Sequence, residues 1–160
     1  MRKHVIGVMG PRDATDAQVD SAYELGRLIA RKGWVVLSGG IAKGVMDAVN
    51  RGAKEEKGTT VGILPDNDTS MWSEYVDIPI VTKMDEARNF INAMSSEVLI
   101  AIGMSTGTAT EVGFALRAEK HAILLDNDKN TVDFFSKLSG KVHVARDAED
   151  AVRQVEELLK

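Results

Sequence analysis

Short apolar runs alternate with helix-patterned stretches along the whole chain, and this alternation limits the fold more than any other feature. Val5 to Met9, Trp34 to Leu37, Thr59 to Leu64, Ile78 to Val81, Val98 to Ile102, Ala122 to Leu125 and Val142 to Ala145 each predict a strand. Runs that are apolar throughout, such as Val98 to Ile102, read as strands buried on both faces. Between them, Thr15-Asp16-Ala17-Gln18 forms a capping box. Val19, Ala22, Tyr23, Gly26, Ile29 and Ala30 then follow at helical spacing until Gly33. Further helices are predicted from about Val45 to Lys57, from Glu86 to Ser95, and from the loop after Ile102 to about Lys120. A short helix follows Asn127-Asp128. The last helix carries Ala148, Ala151, Val152, Val155, Leu158 and Leu159 on one stripe. Asp66 to Asp77 has no period and is expected to be a mobile loop over a site. Strict alternation implies right-handed crossovers and an α/β, doubly wound parallel sheet with helices on both faces. The strands from Val5, Trp34 and Val98 should lie centrally, with their carboxyl ends on one cleft.

Composition narrows the functional classes. A chain of 160 residues is expected to form one domain over residues 1–160, burying about 70% of its extended surface. No stretch reaches the roughly 20 apolar residues that a bilayer requires, so no membrane span is expected. The first residues, Met1 to Gly7, turn polar and glycine-bearing too early for a signal peptide. Cysteine is absent, which removes disulfides, a thiol nucleophile and thiolate metal ligands. A cytoplasmic protein fits these features. The net charge of −4 argues against nucleic acid as the main partner. His4, His121 and His143 read as isolated at strand edges, without metal-ligand spacing.

In such a sheet the strand ends should carry function, and two of their loops can cradle an anion. Ser38, Gly39, Gly40 and Gly44 let a ligand approach backbone that feeds a helix N-terminus. Ser105, Thr106, Gly107 and Thr108 do the same and add hydroxyls. Gly10 closes the first strand on the same side. Glycine after a strand also permits an ordinary tight turn, and each loop alone divides evenly between the two readings. Neither loop is a phosphate-binding loop of the Gly-Lys-Ser/Thr kind, and no G-x-G-x-x-G occurs. Glu111 lies one turn into a helix, and Thr108-x-x-Glu111 fits a capping box; spacing alone favours capping. Arg88 could grip a phosphate or pair with Asp85 at the surface, and alone the surface pair is favoured.

Taken together, these residues resemble the LOG family of the wider SLOG group, Rossmann-like proteins often misnamed lysine decarboxylases. The match runs from Leu37-Ser38-Gly39-Gly40 through Gly44-Val45-Met46-Asp47 and Gly62-Ile63-Leu64-Pro65. It continues through Arg88-Asn89 and Val98 to Ile102 to Gly107-Thr108-Ala109-Thr110-Glu111. The family's signatures are an Arg-Lys pair and a Pro-Gly-Gly-x-Gly-Thr-x-x-Glu loop. Here Gly103, Met104 and Ser105 replace Pro-Gly-Gly, and Asn89 replaces the Lys.

The resemblance implies a nucleoside 5′-monophosphate phosphate on the Gly-Thr loop. Arg88 and Glu111 would be the counterparts of the pair that hydrolyses the bond between base and ribose phosphate. A carboxylate suits that step, because cleavage develops oxocarbenium character. The departures and the short chain look more like the branch that includes molybdenum cofactor carrier proteins. Those bind a phosphate-bearing pterin without transforming it and, like LOG proteins, are dimers or tetramers. The favoured expectation is thus a carrier of a nucleotide-like or pterin phosphate, such as molybdenum cofactor, assembled as a homo-dimer or tetramer. A LOG-like phosphoribohydrolase comes second and a DNA-handling module third. Lysine decarboxylation is rejected, because no site for pyridoxal phosphate is recognisable. No metal site is expected.

Overall fold

A computed structural model describes residues 1–160. Seven strands form one parallel sheet in the order β4-β3-β2-β1-β5-β6-β7. They are β1 (Val5–Met9), β2 (Val35–Ser38), β3 (Thr59–Leu64), β4 (Ile78–Val81), β5 (Val98–Ile102), β6 (His121–Leu125) and β7 (Val142–Ala145). The helices are α1 (Asp16–Arg31), α2 (Gly44–Glu55), α3 (Arg88–Ser95), α4 (Thr106–Arg117), α5 (Lys129–Leu138) and α6 (Ala148–Leu158). Successive residues of a strand point to opposite faces, and β5 shows how the sheet divides its core. Val98, Ile100 and Ile102 join residues of α1, α2 and α6, while Leu99 and Ala101 join residues of α3, α4 and α5. The sheet is therefore Rossmann-like and doubly wound, with three helices on each face. No helix is long and apolar enough to cross a membrane.

Element limits differ from the sequence reading where local bonds decide them. The Trp34 N–H closes back onto Ile29 O, so the second strand begins at Val35. Helix α2 stops at Glu55 because Lys57 turns left-handed, at φ 56°, and the Gly58 N–H reaches Ala53 O. The helix expected from Glu86 begins at Arg88, after a 3₁₀ turn over Asp85–Ala87. The segment from Asp66 to Asp77 is not a lid, and none of its residues lines the cleft described below. Ser73 ties it to Gly40 O and Asp47, the Ala42 N–H donates to Met71 O, and Asp77 pairs with Lys54 at 2.7 Å. It buttresses the loop before α2.

The strand order fixes where a ligand can enter. From β1 the chain winds outward through β2, β3 and β4, then returns to β5 on the other side of β1. The loop after β1 leads to α1 on one face, and the loop after β5 leads to α4 on the other. Two diverging loops on adjacent strands leave a crevice at the carboxyl ends, which is the topological switch point.

Candidate functional site

A cleft of about 730 Å³ occupies that switch point. Of the expected ligand residues, Gly10, Gly39, Arg88, Ser105, Thr106, Gly107, Thr108 and Glu111 all line it. Ser38, Gly40 and Gly44 lie behind its wall instead. Ser38 Oγ accepts the Gly40 N–H at 3.1 Å and Asn50 Nδ2 at 3.0 Å, which locks the turn. Gly44 is left-handed at φ 55°, and an added Cβ would meet Pro11 O at 2.3 Å. In the first turn of α2 the Val45 N–H already donates to Pro11 O. This loop therefore shapes the wall, where the sequence suggested direct ligand contact.

The loop after β5 is open to an anion. Ser105 caps α4 by accepting the Thr108 N–H at 3.3 Å, and its hydroxyl meets Thr108 Oγ1 at 3.0 Å. The first two helical amides, of Thr106 and Gly107, have no intrahelical acceptor and face the cleft with the positive end of the helix dipole. Asn89, in place of the family's lysine, donates to Thr110 Oγ1 at 3.1 Å and to Gly107 O at 3.4 Å. It braces the loop rather than charging it. The glycines lost at Met104 and Ser105 do not obstruct this geometry, because the left-handed step falls on Gly103, at φ 66°.

Arg88 and Glu111 form the floor, and both plainer readings fail. Glu111 is not a capping residue: with Ser105 as cap it lies in the second turn of α4, beyond reach of the cap's N–H. It is only 7% exposed, and Oε2 accepts Asn92 Nδ2 at 2.7 Å. Oε1 makes no hydrogen bond to the protein, and the residue lines the cleft. Burial pushes the carboxyl up to about 7, against the pull of the Asn92 hydrogen bond and the Arg88 charge. Arg88 is not a surface partner of Asp85: it is 3% exposed and makes no ion pair. Its Nη1 donates to Gly39 O at 2.6 Å and Ile63 O at 2.7 Å, clamping the ends of β2 and β3. Burial lowers its pKa, yet guanidinium keeps its proton. The two groups share a floor within electrostatic reach, without touching. A ligand atom can therefore meet a fixed cation and a desolvated carboxyl at once.

The sequence reading missed Asn92, which also lines the cleft, as do Arg12 and Asp13 from the loop after β1. Asn92 stands four residues after Arg88, hence on the same face of α3, and that spacing was the available signal. Arg12 pairs with Glu86 across the rim at 3.3 Å. His121 and His143 are not isolated, because neighbouring strands bring Nδ1 and Nε2 to 2.9 Å. They lie at the opposite end of the sheet from the cleft.

Known proteins resemble this chain in sequence and in overall fold. The molybdenum cofactor binding protein of the phototrophic bacterium Rippkaea orientalis is 45% identical. It superposes with a TM-score of 0.96 over 100% of this chain and 99% of that one. The molybdenum cofactor carrier protein of Chlamydomonas reinhardtii is 50% identical, with a TM-score of 0.93 over 98% and 99%. A protein of Archaeoglobus fulgidus is 39% identical over 125 residues, covering 78% of this chain and 82% of that one. The pattern of the SLOG cluster4 family matches residues 3–152, and the chain belongs to that family.

Proposed function

We propose that the protein is a cytoplasmic carrier that binds a phosphate-bearing pterin of the molybdenum cofactor type in this cleft without transforming it. The observation that carries the reading is that free amides of α4 and the Arg88 guanidinium face one cleft large enough for such a ligand. The residues fit both ends of the group. Thr106, Gly107 and the hydroxyls of Ser105 and Thr108 would hold the phosphate. Met9, Met46, Met104 and Phe114 supply apolar surface for the ring system, and Asn89 and Asn92 supply polar contacts. Arg88 Nε and Asn92 Oδ1 are buried without partners at the floor, which suits a polar occupant and not an apolar one. The bound cofactor would keep its own metal chemistry, and the chain has no thiolate to compete as a ligand. Mass spectrometry of protein purified from a cofactor-producing host should find a pterin phosphate at near-equimolar amount. A purified protein carrying none, and unshifted in melting by pterin phosphates, would overturn the reading.

A homo-dimer or tetramer accompanies this proposal. Phe90 on α3 and Phe114 on α4 pack edge to face at 5.2 Å, yet remain 49% and 38% exposed. Phe114 also borders the cleft, so a second copy seated there would complete its rim. Phe90→Asp should yield monomer by sedimentation. An unchanged oligomer would move the interface elsewhere.

One observation favours a second reading, LOG-like phosphoribohydrolysis. Glu111, at about 7, sits beside Arg88 as an acid–base group would. Release of free base from a panel of nucleoside 5′-monophosphates, abolished in Glu111→Gln, would establish it over the carrier.

A further inference from the structure

Of the two charged side chains that form the cleft floor, Arg88 attracts an anion and an ionised Glu111 repels one. The α4 amides and Arg88 draw negative charge, yet the same floor holds a carboxyl whose Oε1 has no partner. No cation closes on that oxygen: Arg88 makes no ion pair and no lysine lines the cleft. An ionised carboxylate as buried as Glu111 would repel an anionic ligand beside it. The neutral acid would not, and it gains a donor. Because Asn92 Nδ2 donates to Oε2, the proton belongs on Oε1, the oxygen left without a partner.

We infer that Glu111 binds the ligand as the carboxylic acid, donating from Oε1 to an acceptor atom on the anionic cargo, so that loading the cleft takes one proton from solvent. This rests on the anionic-ligand reading above and assigns Glu111 a role in specificity. It favours cargo that places an acceptor there over cargo that places a donor. The charged groups that share the cleft with Glu111 are Arg88 from α3, Glu86 from the turn before it, and Arg12 and Asp13 from the loop after β1, and of these Arg88 and Glu86 act on its carboxyl. Met9 from β1, Gly39 just after β2 and Met46 from α2 also reach the cleft and are uncharged, and apart from Glu111 α4 adds neutral residues. Burial, with a smaller push from Glu86, favours the acid and prevails over the Asn92 hydrogen bond and the Arg88 charge, which favour the ionised form.

Calorimetric titration of the full chain with neopterin monophosphate and with GMP, from pH 6 to 9, tests the inference. Running each titration in two buffers of different ionisation heat counts the protons taken up. Wild-type affinity should fall about tenfold per pH unit above pH 7, with uptake near one proton at pH 8. Glu111→Gln, a permanently neutral donor of the same size, should show a flat profile there and bind more tightly than wild type at pH 8.5. The phosphate's own ionisation, near pH 6, is common to both proteins and cancels in the comparison. A wild-type affinity that is flat or rises above pH 7, or zero proton uptake, overturns the inference while leaving the anionic-ligand reading intact. Absence of binding by both proteins at every pH overturns both.

Discussion

At the scale of single residues, Glu111 sets a conflict between stability and function. Its carboxyl is raised from 4.5 to about 7 by burial, so the folded state holds the proton more tightly than the unfolded chain. The sign follows from linkage: this contribution is fully present below pH 4.5 and is lost as pH rises through 7. Its size is on the order of 3 kcal/mol. Glu111→Gln should therefore match wild type near pH 5 and melt higher than wild type at pH 8. Melting curves across that range check it, and equal losses in both proteins would place the titration elsewhere. A carboxyl kept at a cost to stability in a cleft floor is an expected mark of function. Neither its burial nor that of Arg88 was legible in the sequence. Arginine is ordinarily exposed, and the carbonyls that hold Arg88 belong to Gly39 and Ile63, at the ends of other strands. Only the fold brings them together.

At the scale of elements, the start of α4 is the part of the site that a substitution can isolate. An added Cβ at Gly107 would find Asn89 Nδ2 at 3.5 Å and nothing closer, so side chains fit there without disturbing the fold. Valine at this position sits on the first helical turn and covers the free amides. Gly107→Val should keep its melting temperature within a few degrees and lose the shift produced by neopterin monophosphate, read by differential scanning fluorimetry. A retained shift would remove the α4 N-terminus from the site. That a helix begins here was legible, because hydroxyl residues and glycine follow an apolar strand. Which residue caps it was not. Ser105, Thr106 and Thr108 are all capping types within four positions, and helix phase alone chooses Ser105 and releases Glu111 from capping. The Asp66–Asp77 segment misled for a related reason. Its anchors, such as Ser73 to Asp47 and Asp77 to Lys54, lie 26 and 23 residues away, where no periodicity registers them.

At the scale of the whole molecule, the sheet order was only partly readable. Apolar runs marked all seven strands, and the central place of β1, β2 and β5 follows from the switch point. The same sheet makes the two cores interdependent, since neighbouring residues of β5 enter opposite layers. Leu99 packs among residues of α3, α4 and α5, whereas Ile100 packs among residues of α1, α2 and α6. Both side chains are fully buried. If residues 1–160 are one cooperative domain, weakening either layer must lower a single shared transition, because no strand can leave one layer while remaining in the other. Leu99→Ala and Ile100→Ala should each cost about 2–5 kcal/mol. Urea unfolding should show each loss identically by circular dichroism and by the fluorescence of Trp34, which packs on the α1 side, in a Trp72→Phe background. The informative variant is Leu99→Ala, whose lesion lies across the sheet from Trp34. A Trp34 transition unmoved by it, with ellipticity lost early, would mean that the layers unfold separately. Coincident curves with an unchanged slope would show that the strands carrying the cleft stand or fall as one unit.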